Sequence, residues 1–143
     1  MTDWTDPRTD LTIRNPDGMF DPAPLAFSQL AILPPQAPVI MVAGQAGGSP
    51  KGPFAAQVRA ALDGIRSAME AAGGDMNGVA RLTVYIVDHD ETRHAALIDA
   101  VNAAFPERLV PTCTIVPLSQ LGTDPDMLVE IEAMGVLPSD AAP

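Results

Sequence analysis

VPTCTIVPLSQLGTDPDMLVEIEAMGV, residues 110–136, consists of two apolar runs of β-favouring residues with a short polar segment between them. The segment GTDPD, residues 122–126, contains only residue types that are common in turns. Runs of this kind on either side of a turn predict two strands. The first run also contains Cys113, the only cysteine in the chain.

The second of these runs alternates strictly, as a strand does when its two faces differ. Glu130 and Glu132 fall on one face together with Leu128 and Met134, whereas residues 129, 131 and 133 are all apolar. A buried carboxylate is costly unless it is hydrogen-bonded or paired. Glu130 therefore has one of two roles. In a structural role, it accepts hydrogen bonds from backbone N–H groups at a subunit interface. In a catalytic role, it orients or deprotonates water.

Composition limits the classes of protein to which the chain could belong. Its 143 residues are 47% hydrophobic, enough for one domain with an aliphatic core. The net charge is −10 and the eight Lys and Arg residues are scattered, which argues against nucleic acid as a partner. No apolar run approaches the roughly 20 residues that span a bilayer. With a polar N-terminus and one cysteine, these features predict a cytoplasmic protein without a membrane partner.

The rest of the chain predicts the element order β-β-β-α-β-α-β-β, an α+β fold. Residues 1–10 are expected to be a flexible arm, 11–137 a single domain and 138–143 a tail. Strand 39–43 is apolar on both faces, which predicts a central position in the sheet. The other predicted elements before the final strand pair are strands at 11–13, 27–33 and 79–87 and helices at 53–72 and 91–104.

Apolar residues on both faces of the predicted sheet indicate an oligomer. Two helices can cover only one face, yet Val39, Met41, Leu128 and Met134 make the other face apolar as well. No segment of the chain remains to cover that face, so we expect other copies of the chain to do so.

Neither a metal nor a cofactor is predicted. The Gly/Pro-rich loop 44–53 contains Lys51, but the surrounding residues do not follow the phosphate-binding P-loop pattern. No cluster of His, Cys, Asp and Glu has the spacing of metal ligands.

Several short motifs, in order along nearly the whole chain, resemble the RidA/YjgF family of small trimeric enamine/imine deaminases, formerly labelled L-PSP endoribonucleases. PTCTIV at 111–116 and LVEIEA at 128–133 are similar to its C-terminal signature. AFSQ at 26–29, AGQ at 43–45 and AFPE at 104–107 are similar to further family motifs. The resemblance implies a chorismate-mutase-like (RidA-like) fold with two helices on one face of a mixed sheet. It also implies a homotrimer that binds a small-molecule substrate in clefts between subunits.

The resemblance also implies which residues form the site. In deaminase members, an arginine on the penultimate strand holds the substrate carboxylate, and a glutamate on the last strand helps to position water. Glu130 stands at the position of that glutamate, and Cys113 at that of the arginine. Phe27 replaces a tyrosine and Ile98 an asparagine. We therefore predict Glu130 and Cys113 as catalytic residues and Phe27 and Ile98 as substrate-binding residues, with Ser28 and Thr114 beside them.

The arginine-to-cysteine difference changes the expected substrate. A charged hydrogen bond contributes about 1.5–3 kcal/mol, and a thiol cannot replace a bidentate guanidinium. The usual 2-imino acids should therefore bind poorly unless another cation, from Arg14, Arg81 or Arg108, enters the cleft. A less polar cleft would suit a less charged ligand.

Three functions remain open at this point. The first is hydrolysis of a small enamine, imine or related C–N compound. The second is a non-catalytic trimeric module that binds a small molecule or protects other proteins. The third is a cysteine-dependent enzyme, which requires Cys113 to be a reactive nucleophile and not a small buried hydrophobe.

Overall fold

The computed structural model describes residues 1–122 and 124–141, so Thr123 of the predicted turn and residues 142–143 of the predicted tail lie outside the described residues. These described residues form seven strands and two α-helices. The elements are β1 (Thr2–Thr5), β2 (Thr12–Asn15), β3 (Leu30–Ile32), β4 (Val39–Gln45), α1 (Phe54–Ala71), β5 (Val79–Val87), α2 (Glu91–Ala104), β6 (Thr112–Leu118) and β7 (Val129–Val136).

The strands form two sheets, one of three strands in the order β1-β2-β3 and one of four in the order β4-β7-β5-β6. In the larger sheet β5 and β6 are parallel, whereas β7 is antiparallel to both β4 and β5. Both helices pack on one face of this sheet around an aliphatic core that includes Val58, Ile65 and Leu97. This arrangement confirms the predicted α+β class with a mixed sheet and two helices on one face.

Local signals place both helices close to their predicted positions. Pro53 precedes α1, where its fixed φ and missing N–H are tolerated. The Asp90 side chain caps α2 by accepting a hydrogen bond of 2.8 Å from the backbone N–H of Arg93. The bounds of α2 are those predicted, and those of α1 differ by one residue at each end.

The expectation of a flexible arm over residues 1–10 is corrected by β1, which pairs with β2. Arg108 explains why the first residues are ordered. Its guanidinium lies 4.2 Å from the ring centroid of Trp4 in β1 and donates to four backbone carbonyl oxygens at 2.7–3.1 Å. The three-stranded sheet is thereby attached to the turn before β5.

The prediction that strand 39–43 is central is wrong, because β4 is an edge strand of the four-stranded sheet. Ile40 and Val42 pack against the core under the helices. Val39 and Met41 point to the opposite face and are 55% and 82% exposed. We call this face, which carries no helix, the open face. Its exposed apolar side chains agree with the expectation that other copies of the chain cover it.

Within the described ranges, no helix combines the length and the apolar character needed to cross a membrane.

Candidate functional site

Glu130 lies on the open face, next to a bulge in the edge strand. Val42 pairs with Ala133 and Gln45 with Ile131, so two residues of β4, at 43 and 44, stand opposite one residue of β7. At Gly44, an added Cβ would overlap the carboxylate of Glu130. Glycine is therefore required at the bulge for Glu130 to lie against the backbone of β4.

The two acids of β7 have different environments, although both lie on the open face. Tyr85 of β5 donates a hydrogen bond of 2.8 Å from its hydroxyl group to Oε1 of Glu132. This hydrogen bond raises the pKa of Tyr85, because the phenol proton is held by a carboxylate. Within the described chain, the side chain of Glu130 makes no hydrogen bond to protein atoms. Its half-buried carboxylate is thus available to water or a ligand.

Cys113 lies in a separate cleft of about 290 Å³ at the free edge of β6. The walls of this cleft, which we call the Cys113 cleft, are mostly apolar. They are formed by Leu25, Phe27, His94, Cys113, Thr114 and Ile115. The structure therefore brings together three predicted site residues, Phe27, Cys113 and Thr114.

The surroundings of Cys113 do not suit a nucleophile. Burial raises the pKa of its thiol to about 12. A catalytic cysteine needs a lowered pKa or an adjacent base, whereas this thiol stays protonated at neutral pH. Cys113 thus forms part of the apolar wall, as a small hydrophobic residue does.

Ser28 holds Phe27 at the cleft and is itself closed to a ligand. Ser28 is buried; its hydroxyl donates to the carbonyl oxygen of Val110 at 2.6 Å, and its backbone N–H donates to that of Pro111 at 3.1 Å. The hydroxyl of Ser28, predicted to bind substrate, is thus buried and hydrogen-bonded to the backbone. Ile98, also predicted to bind substrate, packs against the main core and does not line the Cys113 cleft.

His94 is a cleft residue that the sequence did not reveal. Its place in the apolar stripe of α2 predicts packing, yet its half-buried ring lines the Cys113 cleft. The ring centroid lies 5.3 Å from that of His89, and neither nitrogen of the His94 ring hydrogen-bonds to protein atoms in residues 1–122 or 124–141. The two functions of a helical stripe, packing and lining a cleft, give the same sequence pattern.

None of the three candidate arginines lines the Cys113 cleft of its own chain. Arg14 forms two hydrogen bonds, of 2.9 and 2.7 Å, with Asp3 in the three-stranded sheet. Arg108 is surrounded by backbone carbonyl oxygens, and burial lowers its pKa to about 10, so it remains charged at neutral pH. Arg81 is exposed on the open face, opposite Met134.

Glu130 and the Cys113 cleft lie on opposite sides of the sheet. Cys113 is level with Leu82 of β5, whose side chain belongs to the core. Glu130 pairs with Tyr85, three residues further along β5 and therefore on the other face. A single chain thus does not bring the two predicted catalytic residues together.

Comparison with protein families gives a match over residues 21–137 to the model described as endoribonuclease L-PSP, which covers most of the chain. The chain belongs to this family. It is the RidA/YjgF family that the sequence motifs resemble. A RutC family protein of Pyrococcus horikoshii is 34% identical over 84 residues, which are 59% of this chain and 63% of that protein.

Solved structures of the family share this fold. YyfB of Yersinia pestis, described as a protein of unknown function of the conserved Rid family, superposes with a TM-score of 0.80 at 24% identity, covering 89% of this chain and 98% of its own. Rv2704 of Mycobacterium tuberculosis, a member of the YjgF/YER057c/UK114 family, has a TM-score of 0.62 at 28% identity, with 89% and 99% covered.

Proposed function

We propose that this member of the endoribonuclease L-PSP family hydrolyses a small enamine, imine or related C–N compound that lacks a carboxylate. In the reaction, water adds to the imine carbon, the C–N bond breaks, and ammonia and a carbonyl compound are released. The observation that carries the proposal is the carboxylate of Glu130, which is held against Gly44 and has no hydrogen-bond partner among the described residues, in a chain with an apolar cleft at Cys113.

Glu130 would orient the attacking water and accept its proton. A general base must be free to contact the reacting water. Of the two acids of β7, Glu132 accepts the hydrogen bond from Tyr85. Glu130 has no hydrogen-bond partner in the described part of the chain. Glu132 would then be a structural residue of the open face.

The site would be completed between two copies of the chain. Glu130 lies beside β4 and the Cys113 cleft lies beside β6, and these two strands are the opposite edges of the four-stranded sheet. An interface that places the β4 edge of one copy against the β6 edge of the next is heterologous, and it forms a ring when the rotation between copies closes. The homotrimer implied by the resemblance is such a ring, and it would also cover Met41 on the open face.

The apolar cleft explains why the substrate would lack a carboxylate. Cys113 stands where the resemblance implies a carboxylate-binding arginine, and within the described residues no arginine of the same chain lines the cleft. An unpaired carboxylate placed against apolar side chains loses its hydration without compensation. A neutral imine has no such cost.

Ammonia release from a neutral imine tests this function. Benzaldimine is generated in situ from benzylamine by a flavin amine oxidase, and the rate of ammonia release is compared with and without the protein. The Glu130→Gln variant should accelerate ammonia release at least about 100-fold less than the wild type does. Glu132→Gln is the matched control and should stay within about tenfold of the wild type. Full activity of Glu130→Gln would contradict the proposed role.

The second candidate is a non-catalytic trimeric module that binds a small molecule. It is favoured by the same apolar cleft, in which Cys113 and Phe27 replace polar family residues. Ligand-dependent thermal stabilisation without turnover would support it, because a ligand that binds only the native state raises its stability. The third candidate, a cysteine-dependent enzyme, is disfavoured by the raised pKa of Cys113.

A further inference from the structure

His94 lines the Cys113 cleft, and the two nitrogen atoms of its ring can donate and accept hydrogen bonds. The remaining wall consists of Leu25, Phe27, Cys113 and Ile115, with Thr114 on the strand edge. Buried or half-buried ligand pockets of this kind obtain their specificity from a few polar groups in an apolar wall.

The position of His94 leaves its polar atoms available to a ligand. The backbone N–H of His94 donates to the carbonyl oxygen of Asp90, the N-cap of α2, at 2.9 Å. Its ring is half-buried, packs at a tilt against His89, and makes no hydrogen bond to protein atoms in the described residues. A half-buried imidazole without a partner gains more from a ligand acceptor than a fully solvated one does.

The aromatic ring in the wall of the cleft favours a flat molecule. Phe27 stacks on Phe20, with their ring planes inclined by 13° and their centroids 6.5 Å apart. Phe27 thus contributes an aromatic side chain to the cleft, and this ring stacks on a second one. A conjugated ligand would pack against such a surface. The cleft volume of about 290 Å³ limits the ligand to a small molecule.

We propose that His94 determines specificity in the Cys113 cleft by hydrogen-bonding a small, uncharged, conjugated ligand through its carbonyl or imine group. This inference rests on the proposed function, for which it names the substrate class. The conjugated body of the ligand lies between Phe27 and Ile115, and its acceptor atom meets the N–H group of the imidazole. His94 would thus act by binding the ligand, and this role does not require His94 to exchange a proton with Glu130.

Two probes of the same shape test this inference by binding alone. Benzamide is flat, neutral and carries a carbonyl acceptor, whereas benzoate has the same shape and a negative charge. Their dissociation constants are measured by NMR shift titration of the full chain at pH 8. We expect benzamide to bind at least about tenfold more tightly than benzoate and to shift the signals of the cleft residues.

Variants then separate hydrogen bonding from shape. His94→Phe keeps a flat ring and should weaken benzamide binding about fivefold or more, the effect of losing one ordinary hydrogen bond. His94→Gln restores an N–H donor and should bind benzamide within about threefold of the wild type. His89→Phe is the control, because it changes a neighbouring ring that does not line the cleft. The dissociation constants of benzamide and benzoate should stay within about twofold of the wild-type values.

Three results would overturn the inference: benzoate binding as tightly as benzamide, benzamide affinity unchanged in His94→Phe, or no shift of cleft residues with benzamide. These results are distinguishable from failure of the proposed function. If benzamide binds selectively but no imine is hydrolysed, the binding inference stands and the hydrolytic function falls. If Glu130→Gln abolishes hydrolysis but the two probes bind alike, the reverse holds.

Discussion

Glu130 and Cys113 lie on opposite faces of the same four-stranded sheet, although the family resemblance assigns both to one site. Each is accompanied by features that suit a ligand. Glu130 lies against the bulge at Gly44, and Cys113 lines an apolar cleft with Phe27 and His94. A site that uses both faces needs two copies of the chain, and this requirement leads to the predictions below.

Replacing Met41 should dissociate the oligomer. Met41 is 82% exposed on the open face of edge strand β4, so a charge there would be desolvated in any interface that covers it. Met41→Asp should shift the proposed trimer to monomer, as measured by light scattering after size-exclusion chromatography. Met19→Asp is the control, because Met19 is 52% exposed in a loop outside the open face. A trimeric Met41→Asp variant would argue against this interface.

Gly44→Ala should reduce turnover with little effect on folding. The added methyl group would displace the Glu130 carboxylate, whose flexible side chain can move aside. We expect kcat for a neutral imine to fall by about tenfold or more, while the midpoint of thermal unfolding falls by only a few degrees. Gly122→Ala provides the control, since a methyl group there has no heavy atom within 4 Å. Equal kcat values for the two variants would count against the role of the bulge.

Cys113 should react slowly with alkylating reagents. With a pKa of about 12, its thiolate fraction at pH 8 is about a thousandfold lower than that of an ordinary cysteine. The rate of iodoacetamide labelling should therefore be far lower in the native protein than in the unfolded protein. Rapid native labelling at pH 8 would restore the cysteine-dependent enzyme as a candidate.

The same raised pKa predicts an effect on alkaline stability. The unfolded chain loses the thiol proton near pH 8.5, whereas the native chain retains it until about pH 12. Between these values the unfolded state binds fewer protons, so this group makes the protein less stable as the pH rises. Denaturant unfolding at pH 8 and pH 10 should show a smaller loss of stability in Cys113→Ala than in the wild type. An equal loss of stability in both proteins would show that burial does not keep the Cys113 thiol protonated at high pH.

Arg108 should contribute far more to stability than Arg14. Arg108 donates to four backbone carbonyl oxygens and packs on Trp4. Arg108→Met should therefore cost about 3 kcal/mol, or about 10 °C in the midpoint of thermal unfolding. Arg14→Met removes only a surface pair with Asp3, which solvent screens, and should leave the midpoint of thermal unfolding nearly unchanged. Similar losses in the two variants would mean that the carbonyl contacts of Arg108 are not important for stability.

Local sequence signals predicted the helices and most strands, because helix ends depend on adjacent residues. Asp90 and Pro53 mark the starts of α2 and α1 within one or two positions of the helix itself. Strand β1 was missed because the Trp4–Arg108 contact joins residues 104 positions apart. The edge position of β4 was missed for a related reason, since sheet order depends on pairings between distant strands.

The sequence predicted some of the residues that line the candidate site. The alternation of β7 placed Glu130 and Glu132 on one face, but only the position of Tyr85 distinguishes them. The resemblance grouped Phe27, Cys113 and Thr114, which do line one cleft, while Ser28 and Ile98 have other contacts. His94 remained hidden because an apolar stripe does not reveal which of its members borders a cleft.

The most direct test of the account compares two imines of different charge. The wild type and Cys113→Arg are assayed for ammonia release from benzaldimine and from 2-iminopropionate, the latter generated in situ by an amino-acid oxidase. We predict that the wild type accelerates hydrolysis of benzaldimine alone, and that Cys113→Arg gains activity on 2-iminopropionate. Rapid hydrolysis of 2-iminopropionate by the wild type, with no acceleration for benzaldimine, would contradict the account.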